Sequence, residues 1–248
     1  MTQLAEEQNV HLSNFTRLEE RYAPGNGNGS RPAWLDGMRR GAIARFQQVG
    51  FPAGRDEHWR HTSFTPIVRT PFQLADAETG AEQAEEVASR NSFADDASAE
   101  LVFVNGVFAP NLSNLGQLPR GVQVTSLAAA LQSNPGQLER HLGRHADVAE
   151  NPFVALNTGF VADGAFVHVP RGVEVEGPIH LLFVSASGGG QPTVSHPRVL
   201  VLVEDGARVS LAESYVGGED VYFTNAVTEM VVGAPMRWEA RLTGPEFW

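Results

Sequence analysis

Residues 164–203 read GAFVHVPRGVEVEGPIHLLFVSASGGGQPTVSHPRVLVLV, and this stretch decides the fold class. Short apolar and β-branched runs alternate in it with breaks rich in Gly and Pro, which is the pattern of strands separated by turns. The strands predicted within it are Ala165–Pro170, Val173–Val175, Ile179–Val184 and Arg198–Val203. The strands predicted downstream of it are Ala207–Tyr215, Ala226–Val232 and Met236–Leu242.

Glycines precede several of these strands at irregular spacing, at Gly164, Gly172, Gly206 and Gly233. Such a repetition fits either the coils of a β-helix or the hairpins of a sandwich, so periodicity by itself leaves both open. We predict no helix after Asn151.

The strongest local signal lies upstream, in residues 101–108, which read LVFVNGVF. An Asn-Gly pair between two apolar runs is typical of a two-residue hairpin turn. We therefore predict a strand, a turn at Asn105-Gly106 and a second strand.

Helical periodicity is strongest between Ser30, a candidate N-cap, and Gly50, a stop signal, because apolar residues recur there at three- and four-residue steps. A weaker helix is predicted over residues 12–22, with a Gly- and Asn-rich linker at 24–30 between the two. Residues 75–100 are rich in Ala, Glu, Asp and Ser, and we predict an exposed loop or a loosely held helix there.

Two short helices are predicted between the hairpin and Asn151. Thr125 or Ser126 caps the first, over Leu127–Leu131. The second contains Leu138 and Leu142 and ends near Gly143.

The composition excludes several classes of function. The chain has 29 acidic and 18 basic residues, a net charge of -11, which disfavours binding to nucleic acid or to anionic membranes. It contains no cysteine, so it supplies no thiolate to an iron-sulfur cluster, a zinc site or a nucleophilic mechanism. All of its basic residues are arginine, so it has no lysine for a Schiff base or a P-loop.

The first residues, MTQLAEEQNVHLS, are polar and acidic and do not resemble a secretory signal. The longest apolar runs, at Ile179–Val184 and Val199–Val203, are far shorter than the roughly 20 residues of a membrane-spanning helix. We expect a cytoplasmic protein that does not bind membranes.

Histidines are the remaining candidates for metal binding or acid–base chemistry. His58 and His61 would share a helix face, but their spacing supplies no third ligand. His168, His180 and His196 lie on or beside predicted strands, and a three-histidine site in a cupin-like barrel is the alternative to satisfied surface or turn histidines. We favour the second interpretation.

No other pattern predicts a reactive centre. Ser195 and His196 are adjacent on a strand and would point to opposite faces, so they do not pair as nucleophile and base. Arg39, Arg40 and Arg45 are interpreted as a solvated helix face paired with acids, with an anion site as the alternative. We predict no catalytic residue, no cofactor-binding residue and no metal ligand.

Several ordered motifs carry a family resemblance. They are WLDGMRR (34–40), ARF (44–46), GFP (50–52), RDEHWRHT (55–62), LVFVNG (101–106), NPFVALN (151–157), VPRGV (169–173), PIHL (178–181), HPRVL (196–200) and NAVTE (225–229). In this order the motifs resemble the SufB/SufD family of iron-sulfur cluster assembly proteins. The GFP and RDEHWRHT motifs favour its SufD branch.

The resemblance implies a mainly β chain with a helical N-terminal domain, followed by part of a right-handed parallel β-helix. We divide the chain into a helical domain with a polar linker (1–100), a connector of hairpin and helices (101–150) and the β-helix core (151–248). Family members continue further, so the resemblance also implies that this chain is truncated at its C-terminus.

The implied function is that of a non-catalytic scaffold subunit, which acts with a SufB-like paralogue and a SufC-like ABC-type ATPase. The iron-sulfur cluster would be handled by the complex and not by this chain alone. The alternative is a carbohydrate-binding or carbohydrate-active β-helix protein, for which Tyr222 and Trp238 near Glu229 and Glu239 are the candidate residues.

Overall fold

The computed structural model of the chain describes residues 3–21, 31–52, 59, 61–76, 78–93, 95–188 and 190–234. These ranges contain seven α-helices and eleven strands. The helices are α1 (Gln3–Arg21), α2 (Ala33–Val49), α3 (Thr65–Arg69), α4 (Ala81–Asn91), α5 (Leu127–Ser133), α6 (Pro135–Glu139) and α7 (Pro152–Gly159). The strands are β1 (Gln73–Leu74), β2 (Ala99–Val104), β3 (Val107–Phe108), β4 (Gln123–Ser126), β5 (Gly164–Val169), β6 (Ile179–Ser185), β7 (Thr193–Ser195), β8 (Arg198–Val203), β9 (Leu211–Gly217), β10 (Tyr222–Thr224) and β11 (Val227–Val232).

The strands form three sheets. Sheet 1 has the order β1-β7-β10, sheet 2 the order β3-β2-β6-β9 and sheet 3 the order β4-β5-β8-β11. From β5 onward, successive strands are distributed to sheets 3, 2 and 1 in turn. Neighbouring strands are parallel except for the pairs β2–β3 and β4–β5, which are antiparallel.

Sheets 2 and 3 pack against each other, and helices cover their outer faces. Alternate residues such as Leu101, Val167 and Val201 point into one core between the two sheets. The outer face of sheet 2 packs against α4 through Ala84 and Ala88. The outer face of sheet 3 packs against α2, α5 and residues 140–146, which we call the turn after α6. Because both faces of β2, β6 and β8 are covered, every residue of these strands is buried.

The expected right-handed parallel β-helix is therefore corrected to open, mixed sheets packed with helices. Two of the three sheets contain an antiparallel pair, and none of the sheets formed by the described residues closes on itself. One antiparallel pair has a local cause: Asn105 and Gly106 both have positive φ, 52° and 81°, and this two-residue turn reverses the chain between β2 and β3. The expectation of a mainly β chain is also wrong, because the described residues form seven α-helices beside the eleven strands, and one of them, α7, lies in the region predicted to be all strand.

Several local predictions are confirmed. The hairpin forms at Asn105-Gly106, and β8 has the bounds predicted for it. Ser126 caps α5 by accepting a hydrogen bond from the backbone N of Ala129 at 3.1 Å. The helix before Gly50 ends there, with Gly50 at φ 66°.

Other local predictions are wrong. Helix α7 lies after Asn151, where no helix was predicted, and Asn151 caps it by accepting from the backbone N of Phe153 at 2.9 Å. Residues 173–175 form only an isolated bridge, Glu174 to Arg208, and not a strand. Strands β7 and β10 were not predicted, since three residues are too few to show periodicity.

Some predictions fall outside the described residues. These are the linker 24–30, most of the RDEHWRHT motif and the strand Met236–Leu242. The division into 1–100, 101–150 and 151–248 stays a prediction.

The close packing of β5 against β8 at Gly164 can be tested by substitution. Gly164 has φ 140°, and a Cβ placed on it would overlap the backbone carbonyl oxygen of Arg198 on the neighbouring strand. We expect Gly164→Ala to lower the free energy of unfolding by about 3 kcal/mol or more, since the backbone of β5 or β8 must shift. Urea denaturation measures this.

The matched control is Gly37→Ala, at an exposed position of α2 with nothing within 4 Å of the added methyl group. It is expected to raise stability by up to about 1 kcal/mol, because Ala favours the helix. Equal effects of the two substitutions would contradict the packing described for β5 and β8.

Candidate functional site

A buried ion pair joins Arg198 of β8 to Glu229 of β11. The Nη2 and Nε atoms of Arg198 donate to Oε1 of Glu229 at 2.6 and 3.0 Å. Both side chains are 0 % exposed. Charges removed from water in this way are stable only where every remaining polar atom finds a partner.

Those partners come from two neighbouring segments. Nη1 of Arg198 donates to Oδ1 of Asn157 at 2.9 Å and to Oγ1 of Thr158 at 3.1 Å, both in α7. Glu229 accepts hydrogen bonds of 2.8 Å from the backbone N of Gly143 on Oε1 and of His145 on Oε2. The ion pair therefore ties α7 and the turn after α6 to sheet 3.

Asn157 and Asn225 extend the network. Nδ2 of Asn157 donates to the backbone O of Pro197 at 2.9 Å and of Asn225 at 2.7 Å. Nδ2 of Asn225 donates to the backbone O of Phe153 at 3.0 Å. Three motifs that carry the family resemblance, 151–157, 196–200 and 225–229, thus meet in one buried cluster, which we call the Arg198 network.

The electrostatics of the Arg198 network follow from burial and pairing. Burial by itself would raise the pKa of Glu229, but the Arg198 guanidinium and the two backbone N–H groups lower it below its usual 4.5. Burial lowers the pKa of Arg198, and the carboxylate of Glu229 opposes that change. The network is thus a closed set of hydrogen bonds, which suits it to hold the fold together.

A second polar cluster lies on the outer face of sheet 2. Nδ1 of His180 is 2.7 Å from Oε2 of Glu100, and its Nε2 is 2.9 Å from Oγ of Ser214. Glu100 also accepts from Oγ of Ser92 and from the backbone N of Phe93, each at 2.6 Å. Burial would raise the pKa of Glu100, but these hydrogen bonds lower it overall.

The order Ser214, His180, Glu100 is that of a nucleophile, a base and an orienting carboxylate. However, the ring of Phe93 stacks on the imidazole at 4.2 Å, and His180 is fully buried. A substrate has no route to this imidazole while Phe93 is in place. The cluster instead fastens the end of α4 to β2, β6 and β9.

The histidines considered for a cupin-like site do not converge. His168 lies on β5 and His180 on β6, in different sheets, and His196 lies between β7 and β8. His168 pairs with Glu204 at 2.9 Å. The expectation of surface or turn positions is wrong for His180, which is buried within β6, whereas His196 does lie in a connection between strands but is buried there. Desolvation lowers the pKa of His196 well below 6.5, so this imidazole is neutral.

The described residues contain no group of three or more His, Asp or Glu side chains placed to hold a metal ion. His61 is exposed, and His58 lies outside the described residues. The prediction that the chain has no catalytic, cofactor or metal residues stays a prediction.

The arginine face of α2 is only partly as predicted. Arg40 is exposed and pairs with Glu19 at 3.3 Å, and Arg45 donates to the backbone O of Ala149 at 2.6 Å. Arg39, in contrast, is fully buried, and its Nε donates to the backbone O of Gly159 at 3.0 Å. The sequence carried a signal for this, because Arg39 falls four residues after Leu35 on the apolar stripe of the helix.

The alternative function, binding or cleavage of carbohydrate, is weakened because one of its two candidate carboxylates is buried. Glu229 lies inside the Arg198 network and is not presented on a surface. Trp238 and Glu239 lie outside the described residues. Among the described helices, none is long and apolar enough to cross a membrane.

The fold combines α-helices and β-sheets, and the Arg198 network holds them together. The two buried charges of this network pair with each other and with neighbouring groups of the same chain. The family described as SufBD protein N-terminal region matches residues 28–181, more than half of the chain. The chain therefore belongs to the SufBD family.

Its relatives are longer proteins. An iron-sulfur cluster assembly SufBD family protein of Synechocystis is 32% identical over 216 residues, 83% of this chain and 46% of the relative. The iron-sulfur cluster assembly protein SufD of Bacillus subtilis is 25% identical over 211 residues, 82% of this chain and 46% of the relative. SufB of the same bacterium is 30% identical over 114 residues, 46% of this chain and 23% of the relative. The chain thus spans about half the length, or less, of these curated relatives.

The Arg198 network generates a stability test. Glu229→Gln removes the negative charge and leaves Arg198 buried without it, so we expect a loss of about 3–5 kcal/mol in the free energy of unfolding. The matched control is Glu174→Gln, which removes an exposed partner 3.6 Å from Arg208, with exposures of 62% and 76%. That control should cost less than about 1 kcal/mol. Similar losses for both variants, measured by urea denaturation, would contradict the role of the network.

The pH dependence gives a separate test. Because pairing holds the pKa of Glu229 below its usual 4.5, its contribution to stability is full above about pH 4.5 and is lost as pH falls through the lowered pKa. We expect the difference in stability between the wild type and Glu229→Gln to shrink as pH falls below 4.5. Thermal unfolding of both proteins between pH 7 and pH 3 measures this, and a constant difference would contradict it.

Proposed function

We propose that the chain is a non-catalytic scaffold subunit in the assembly of iron-sulfur clusters by a SUF-type complex. The family match over residues 28–181 carries the proposal. The meeting of three family-like motifs in the Arg198 network supports it, since these residues maintain a fold and offer no reacting atom to a substrate.

The SufD branch is favoured within the family. The match to SufD of Bacillus subtilis extends along most of this chain, whereas the match to SufB covers less than half of it. The GFP (50–52) and RDEHWRHT (55–62) motifs of the sequence also favour the SufD branch. We therefore infer a SufB-like paralogue as one partner.

The composition indicates what the partners must supply. This chain contains no cysteine, so we infer that the thiolate ligands of the cluster come from other subunits. A chain without lysine completes no P-loop, so a SufC-like ABC-type ATPase would provide nucleotide hydrolysis. The excess of acidic residues disfavours nucleic acid and anionic membranes as partners, so the proposed partners are proteins. We place them, with this chain, in the cytoplasm.

Co-expression tests the proposal. The chain is produced with a SufB-like and a SufC-like protein from the same organism, and complexes are separated by size with light scattering. We expect the chain to co-elute with both partners, and iron and sulfide to be retained by the complex but not by the chain alone. The Glu174→Gln variant is the folded control and should behave like the wild type.

Two results would overturn the proposal. One is a SufB-like and SufC-like complex that forms without the chain and excludes it at every concentration. The other is turnover of a polysaccharide by the purified chain, which would favour the carbohydrate alternative.

A further inference from the structure

The turn after α6 carries two histidines that solvent can reach. His141 is half-buried and His145 is exposed. Their ring centres are 6.1 Å apart, and the ring planes differ by 24°.

The distance between the rings suits one shared metal ion. A metal–imidazole nitrogen bond is about 2.1 Å, and the ring centre lies about 1.1 Å further out, so two rings on one ion are at most about 6.4 Å apart. The observed 6.1 Å lies within this limit. In a tetrahedral site the two ring centres would be about 5.2 Å apart, so binding would draw the rings about 0.9 Å closer together.

The backbone between the histidines is held in place. The N–H groups of Gly143 and His145 both donate to Glu229 at 2.8 Å. Leu138 and Leu142, on either side of His141, are buried against sheet 3. Two ligands on such a fixed turn lose little freedom when they bind an ion.

The chemistry of the pair also fits. Imidazole is a ligand for divalent zinc, nickel, copper and iron. We propose that His141 and His145 form a two-imidazole site for a divalent transition-metal ion, with water or a partner's side chain in its other positions. This inference does not depend on the proposed function.

The arginines beside the site set its expected strength. Arg140 and Arg144 are exposed and repel a cation, so the affinity should be moderate. Arg140→Gln removes one of these charges. At physiological salt we expect it to strengthen metal binding about two- to threefold.

Calorimetry on the full chain without a histidine tag tests the site. Zn²⁺ and Ni²⁺ are titrated in air and Fe²⁺ under anaerobic conditions. For at least one of these ions we expect one ion per chain, and at least a tenfold loss of affinity in both His141→Ala and His145→Ala. His61→Ala, at an exposed histidine elsewhere, is the matched control and should leave the affinity unchanged.

Circular dichroism establishes that each variant is folded. The proposal is overturned if no ion binds, if the two alanine variants bind as tightly as the wild type, or if His61→Ala removes the binding instead. Since metal binding is read directly, its failure would leave the co-expression result untouched.

Discussion

The structure depends on the need to compensate two buried charges. Arg198 and Glu229 are both inaccessible to water, and either one left unpaired would cost several kcal/mol. Their hydrogen-bonding capacity is met only if Asn157 and Thr158 lie on one side and the N–H groups of residues 143 and 145 on the other. The ion pair therefore fixes where α7 and the turn after α6 sit on sheet 3, and that turn holds the two histidines of the inferred metal site.

Burial on two faces is the second constraint, and it explains how apolar strands coexist with so many helices. Strands β2, β6 and β8 are largely apolar on both faces because one face meets the opposite sheet and the other meets helices. The helices are thus needed to cover surface that the sheets leave open. A chain of stacked strands without them would expose the side chains of Val102, Leu182 and Leu200.

Because these strands are buried on both faces, some elements of the fold can be predicted from the sequence and others cannot. Runs such as 198–203 are so apolar that the strand was found with its correct bounds, and Asn105-Gly106 identified the hairpin because few residues adopt positive φ. Helix α7 was missed although Asn151-Pro152 is a start signal, because its apolar residues resemble another buried strand. Arg39 and Arg198 were missed because an arginine is normally found at the surface, and because the backbone O of Gly159 and the carboxylate of Glu229 that pair with them lie 120 and 31 positions away in sequence.

The ion pair also explains the register of sheet 3. In β8 and β11, Val199, Val201, Met230 and Val232 face the core between the sheets, whereas Arg198, Leu200, Glu229 and Val231 face the helices. A slip of one residue in either strand would turn its charged side chain toward the apolar core, away from α7 and the turn. An apolar pair in place of Arg198 and Glu229 would tolerate that slip, since valine and leucine fit both faces. We infer that the role of the buried charges is to permit only one register of β8 and β11. Removing the two charges from water costs free energy, and the surrounding hydrogen bonds offset that cost.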